Sequence, residues 1–499
     1  MVLMNRSKTR AFSRSISGSD FLQLDAGDAP AGGMSGWLAG QLRLAISDGR
    51  LPVGSTLPAT RALAAELGVS RGVVTEAYRR LIEDGQAAGH GRGGTIIMAA
   101  PVVAPDAACQ PARTSAPAPG VVFAPGPGPE VFDLLRAAPA RIDLSPGVPD
   151  LAAFPRAAWL RAERSVLGRL SPADFRYGDP RGAAPFRLAV VNWLARNRGI
   201  RASPDEVIIV AGVAQALGLL AQVLRADGIG QVAVEDPGSH GTRQQLESWQ
   251  LDTRPVPVDA GGLRVSDLRA SGAPAALLTP AHQFPTGVVL DGGRRRELIA
   301  WASDGGLIIE DDYDAEHRYD RPPVPALRSL LAEQVCYTGS VSKLLAPALR
   351  VGWILPPRRY AAAIAAAKRD ADLGNPFLPQ LVLAELMRSG ELERQLRMLR
   401  RRHRHRRDAM IDALRIHLPS ARVHGAAAGL HLMITFDAAF ADTDLAARSL
   451  ARGVKVHPLS WHSQRRQPPG LVLGYAASTV SQITEGVATL GSVARRLHR

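Results

Sequence analysis

Two hydrophobic periods run along this chain, and the change from one to the other divides it. In the first hundred residues apolar side chains recur at helical spacing. Leu38, Leu42, Ala45 and Ile46 share one face of a first helix. RALAAEL (61–67) gives a second, closed by Gly68 in the position past a helix end that favours glycine. Ser70 is a suitable N-cap for a third, RGVVTEAYRRLIEDG, in which Val74, Ala77, Tyr78 and Leu81 fall at i, i+3, i+4 and i+7. From about residue 141 the pattern changes to short apolar runs alternating with helical segments. The runs are VIIVAG (207–212), VAVED (232–236), AALLTP (275–280), LIIEDD (307–312) and VCYTGS (335–340). Such alternation predicts an α/β unit on a mainly parallel sheet. From about residue 375 the strand-like GLHLMITF (429–436) and LVLGYA (471–476) predict a smaller α+β lobe.

Between these regions residues 101–140 are rich in Ala, Pro and Gly and short of core-forming side chains, which reads as a linker. The expected organisation is therefore α/β and multidomain. Residues 34–99 form a helical module, 101–140 the linker, and 141–499 the α/β unit with its smaller lobe.

The net charge of +14 on 499 residues suggests a polyanionic partner, and its distribution is uneven. Residues 391–407 carry eight Arg against two Glu, with Leu392, Leu396 and Leu399 on one stripe. This is a helix with a basic exposed face, either solvated or a secondary contact with DNA phosphate. Nothing approaches eighteen consecutive apolar residues, and no apolar stretch follows the basic N-terminus, so neither a membrane span nor a signal peptide is expected. With Cys109 and Cys336 alone there is no disulfide framework, which fits a reducing cytoplasm.

Arg71, Thr75 and Arg79, at i, i+4 and i+8, project from the face of the third helix opposite its apolar stripe. GHGRGGTIIM adds a turn and strand with Arg92 at the tip. Helix, turn, helix and hairpin with cations on the second helix is the geometry of a winged double-stranded DNA reader.

A second constellation suits pyridoxal 5′-phosphate (PLP). Lys343 follows an apolar strand, with hydroxyls at Ser340 and Ser342 and a cation at Arg350. Asp311 and Tyr313 close another strand. Together they supply an amine for a Schiff base, a carboxylate for the pyridine nitrogen, a phenol for the ring oxygen, and hydroxyls and Arg for the phosphate. The interval between Asp311 and Lys343 leaves room for a strand–helix–strand crossover that would open both strand ends on one crevice.

LRLAISDGRLPVGSTLPATRALAAELGVSRGVVTEAYRRLIEDG, with its trailing GRGGT, resembles the winged helix-turn-helix of the GntR superfamily. That resemblance implies DNA contact by Arg61, by Ser70 and Arg71 at the start of the recognition helix, and by the wing. Gly72 departs from it, since a larger polar residue is usual there. With FRYGDPRG (175–182), EDPG (235–238) and AGLH (428–431), nearly the whole chain resembles the MocR family, whose second domain is aminotransferase-like and of PLP fold type I. The resemblance implies that Lys343 is the Schiff-base lysine, Asp311 the partner of the pyridine nitrogen and Tyr313 the ligand of the ring oxygen. Ser340 and Arg350 would bind phosphate, joined by backbone N–H groups at the turn Gly212, Val213, Ala214. Tyr177 would reach the phosphate across a homodimer interface.

The departures from the aminotransferase pattern are specific. Ser239 stands where a ring usually stacks on PLP, with His240 beside it as a substitute or merely solvated. Phe284 replaces an Asn before Pro285, leaving His282 or Gln283 to make that hydrogen bond. Counting back from Tyr475, Val472 stands where an Arg usually clamps the substrate carboxylate. The leading reading is a cytoplasmic, dimeric, PLP-dependent regulator that senses PLP, an amine or an amino acid, with an acidic group held elsewhere, for example by Arg243. The alternatives are a working aminotransferase with an accessory helix-turn-helix, and a DNA-binding scaffold that has lost PLP. No metal is expected.

Overall fold

The computed structural model describes residues 24, 26–30, 33–47, 50–89, 94–98, 122–123, 127–319 and 324–497. They belong to two compact units, Met1–Thr114 and Ser115–Arg499.

In the first unit, α1 (Met34–Ser47), α2 (Thr60–Glu66) and α3 (Arg71–Glu83) enclose Leu38, Leu42, Leu63, Val74 and Leu81 in one core. Gly68 lies at φ +64°, so the chain reverses there without a steric penalty. Ser70 then starts α3, its hydroxyl accepting from the Val73 N–H at 3.4 Å. The Tyr78 hydroxyl donates to the Pro58 carbonyl at 2.7 Å and ties α3 to the approach to α2. An antiparallel hairpin, β1 (Ala87–Gly89) and β2 (Thr95–Ile97), follows. Arg92, the expected wing tip, lies outside the described residues.

The second unit begins earlier than composition suggests. Within the stretch read as linker, Val122 and Phe123 are buried and Val131–Ala137 form a helix, α4, that buries Val131 and Leu135. The Pro and Gly around it dominate the composition and conceal one short apolar face at i, i+4. A two-residue strand, β3 (Ile142–Asp143), comes next.

The main sheet has eight strands: β4 (Ile208–Val210), β5 (Gln231–Asp236), β6 (Asp252–Asp259), β7 (Gly262–Leu263), β8 (Ala275–Leu278), β9 (Leu307–Asp312), β10 (Val335–Ser340) and β11 (Gly352–Leu355). Their order is β4-β11-β10-β9-β8-β5-β6-β7. The sheet is mixed: β10, β9, β8, β5 and β6 run parallel, whereas β11 opposes both its neighbours and β7 folds back on β6. The inner strands are buried on both faces, which is why they read as continuous apolar runs. Between β9 and β10 the expected crossover helix is replaced, among the described residues, by a 3-10 turn at Leu327–Ser329. Because β11 runs against its neighbours, β4 points the same way as β10. The C-terminal ends of β4, β5, β8, β9 and β10 therefore open on one crevice. Two helices begin at it, α5 (Val213–Ala226) after β4 and α6 (His240–Ser248) after β5.

The long helix α7 (Glu391–His417) carries the basic string and buries Leu392, Leu396 and Leu399, as its periodicity predicts. The smaller lobe holds an antiparallel sheet of β12 (Ala421–His424), β13 (His431–Phe436), β15 (His457–Pro458) and β16 (Gly470–Gly474), ordered β12-β13-β16-β15, and β14 (Val454–Lys455) pairs with β3. Among the described residues no helix is long and apolar enough to cross a membrane.

Candidate functional site

The crevice contains a cavity of about 410 Å³ into which Lys343, Asp311, Tyr313, Ser340, Ser342, Val213 and Ala214 all face. Lys343 sits three residues past β10, and its side-chain nitrogen donates to the Gly147 carbonyl. Burial lowers its pKa from the ordinary lysine value, opposed by the nearby carboxylates of Asp314 and Asp311.

Asp311 and Asp312 point to opposite faces of β9, as neighbours in a strand must. Asp312 turns away from the cavity, ion-paired with the buried Arg198 guanidinium and accepting from the Tyr337 hydroxyl at 2.6 Å. Asp311 turns toward it, with, among the described residues, only a 3.4 Å hydrogen bond from Thr338 on the paired strand. Burial, with Asp312 close by, pushes its pKa up to about 7. A half-buried carboxyl with so little protein partner is a group waiting for a donor, and a protonated ring nitrogen is such a donor.

Tyr313 is held from behind. His282 Nδ1 lies 2.9 Å from the Asp314 carboxylate and 3.0 Å from the Tyr313 hydroxyl. One N–H shared between them leaves the phenolic proton free to point into the cavity. His282 is thus a positioning residue behind the wall and not a liner of it.

At the other end, Gly212 opens α5 at φ +83°, where a Cβ would approach the Arg350 guanidinium to 3.3 Å. Arg350 is itself held in the left-handed region at φ +49° and donates to the Ala211 carbonyl. A non-glycine residue kept there at a cost of ~1 kcal/mol or more marks a position fixed by its surroundings. The helix start and the two serines line the cavity and, with this cation beside Gly212 though not among the lining residues, form a cradle suited to a phosphate. Amine, carboxyl, phenol and anion cradle together fit PLP.

Several expected contributors are placed elsewhere. The Gln283 amide donates to the Pro237 carbonyl at 2.8 Å and its oxygen accepts from Thr286, so it braces the loop instead of reaching the cavity. His240 turns to Arg243 and to the Phe132 ring, not over the cavity. Arg243 is buried, donating to the Trp461 and His462 carbonyls at 2.9 and 3.1 Å, and has no freedom to take an acid. Val472 is fully buried in β16 against Met433 and Leu459. Tyr177 is 90% exposed and lines a different surface depression, away from Lys343 of its own chain.

Sequence reading missed Thr279, His457 and His462, which line the cavity, and Phe132 and Arg136 of α4; Phe284, read only as the residue that replaces an Asn, lines it too. Thr279, immediately after β8, was legible as a strand-end hydroxyl. The others come from distant segments with no local signature.

In the first unit Arg61, Ser70, Arg71 and Thr75 are exposed around the start of α3. Arg71 Nε donates to Thr60 at 3.4 Å. Arg79, expected on the same face, is held by Glu76 at 2.7 Å and by Glu83, both on its own helix.

Residues 37–97 match the family of bacterial regulatory proteins called gntR, and residues 140–490 match aminotransferase class I and II. The chain is 32% identical over 446 residues to the HTH-type pyridoxine biosynthesis transcriptional regulator PdxR of Corynebacterium glutamicum, across 88% of this chain and 91% of that one. It is 31% identical over 462 residues to the probable rhizopine catabolism regulatory protein MocR of Rhizobium meliloti, across 91% and 92%. The chain belongs to the MocR-type transcriptional regulators. Membership of this MocR type implies DNA as a partner. Its second unit is similar to the crystal structure of Pyrococcus horikoshii kynurenine aminotransferase in complex with PMP, at 25% identity and a TM-score of 0.67, over 74% of this chain and 93% of that one.

Proposed function

We propose that the second unit of this regulator binds PLP on Lys343 and senses PLP, or an amine or amino acid that competes for it, without sustained turnover. PLP supplies an electrophilic carbon for primary amines and an electron-withdrawing ring. Lys343 offers the amine, Asp311 holds the ring nitrogen protonated, and Tyr313 donates to the ring oxygen. Ser340, Ser342, Arg350 and the N–H groups of Val213 and Ala214 receive the phosphate. The observation that carries this reading is Lys343 and Asp311 in one cavity, the amine with a lowered pKa and the carboxyl with a raised one.

Sensing is favoured over transamination because the late strand offers no carboxylate clamp at Val472 and Arg243 is committed to carbonyls. Losing about 4 kcal/mol of transition-state binding would slow turnover roughly a thousandfold. The DNA-reading unit acts on an operator as one half of a homodimer, and the exposed Tyr177 is available to a partner's phosphate cradle.

The test is PLP addition followed by borohydride reduction and peptide mapping. We expect a Schiff-base absorbance and a label on Lys343, both absent in Lys343→Ala. Rapid conversion of a common amino acid to its keto acid, lost in that variant, would favour the aminotransferase reading instead. Sedimentation at micromolar concentration checks the dimer.

A further inference from the structure

An acidic effector in this cavity needs a cation, and Lys343 serves the PLP carbon, as its bonded nitrogen or as the amine an effector displaces, on the reading above, on which this inference rests. Among the described lining residues the other side chain with a permanent charge is Arg136, on α4. From α4 the Phe132 ring also faces the cavity, stacked on His457 at 5.5 Å between centroids. The buried Val131 and Leu135 hold the helix in place, so Arg136 is tethered at the cavity mouth.

We infer that Arg136 receives the acidic group of the effector, doing from the N-terminal side of the unit what Val472 cannot do from the late strand. Its guanidinium is paired with Asp133, and the two side chains are 72% and 73% exposed. An exposed pair of this kind is worth little and exchanges readily for a ligand carboxylate held bidentately. The histidines on this wall do not compete for the role. Burial lowers the pKa of His457 to about 4 and of His431 to about 3, and holds His462 well below the ordinary value, so all three are neutral at pH 7. The wall they form with Phe132 and Phe284 is aromatic and uncharged. The effector class is therefore an amine that carries one acidic group, with its remaining surface apolar or aromatic.

The test compares acids with the amines that lack only the acid group: L-phenylalanine with 2-phenylethylamine, and β-alanine with ethylamine. Affinity is read from the change in Schiff-base absorbance and, independently, by calorimetry, for the parent protein, Arg136→Ala and Arg136→Lys. We expect at least one acid to outbind its amine in the parent by about ten- to a hundredfold, the worth of a charged hydrogen-bonded pair. Arg136→Ala should bring that ratio close to one, and Arg136→Lys should restore part of it. No preference for either acid in the parent, or a ratio unchanged in Arg136→Ala, overturns the inference. Absence of any Schiff-base band in the parent overturns the PLP reading and this inference together, which separates the two failures.

Discussion

Lys343 donates its side-chain proton to the carbonyl of Gly147, and a Cβ on that glycine would stand 3.1 Å from the same nitrogen. Gly147 is also at φ +77°, a conformation that side chains rarely adopt. Two independent constraints thus disfavour a larger residue beside the amine. Gly147→Ala should weaken PLP capture about tenfold, from ~1 kcal/mol of backbone strain plus the crowded amine. Titration of the Schiff-base absorbance reads this, with circular dichroism as the check that the fold persists. Unchanged capture would mean that the amine is free of this contact.

The two aspartates of β9 should separate cleanly. Asp312 shares a buried ion pair with Arg198, and the two side chains are 2% and 1% exposed. Asp312→Ala should cost roughly 3–5 kcal/mol of stability by leaving that guanidinium unpaired. Asp311→Asn removes no ion pair, so it should fold and yet bind PLP more weakly. Denaturant melts of both variants, run beside PLP titrations, test the pair.

Stability should fall with rising pH in the PLP-free protein. Burial is the main reason the pKa values of Asp311, Glu235 and Glu310 each stand at about 7. In the unfolded chain carboxyls ionise near ~4, so between these values the folded state binds more protons. Their contribution is complete at low pH and is lost as pH rises through 7. Buried histidines such as His431 and His457 act in the opposite sense, but below about pH 6.5. From pH 6.5 to 8 we expect a loss of about 2 kcal/mol, read as a falling Tm. Asp311→Asn should reduce that loss, and PLP should too, because its ring N–H would face an ionised Asp311.

On DNA, Arg71 and Arg79 should differ although they share a helix face. Arg71→Ala should cost ~1–3 kcal/mol, concentrated at one base position. Arg79 is already neutralised by Glu76 and Glu83, so Arg79→Ala should change affinity little. Arg61→Ala should weaken all sequences alike and flatten the salt dependence. Binding isotherms on an operator and its point variants at several salt concentrations distinguish these outcomes.

Sequence alone placed α1 to α3, the strands β4, β5, β8, β9 and β10, the buried stripe of α7, and the strand-end residues Asp311, Tyr313, Ser340 and Lys343. Each is written in local periodicity or in a side chain at a predictable strand end. What was not legible depends on long-range packing. Gln283 and Arg243 carry the right chemistry for a ligand but are claimed by carbonyls that only the folded loops bring near. Strands β6, β7 and β11 went unread, β6 because Pro255 and Pro257 interrupt its pattern and β7 because it is two residues long. Helix α4 was lost in the composition around it.

That helix has a practical consequence for dissecting the protein. A truncated chain starting at residue 141, where composition places the domain boundary, would discard Phe132 from among His457, Trp461 and His462 and remove one wall of the cavity. Such a fragment would expose aromatic surface and misreport ligand affinity, whereas one starting at Ser115 keeps the whole compact unit.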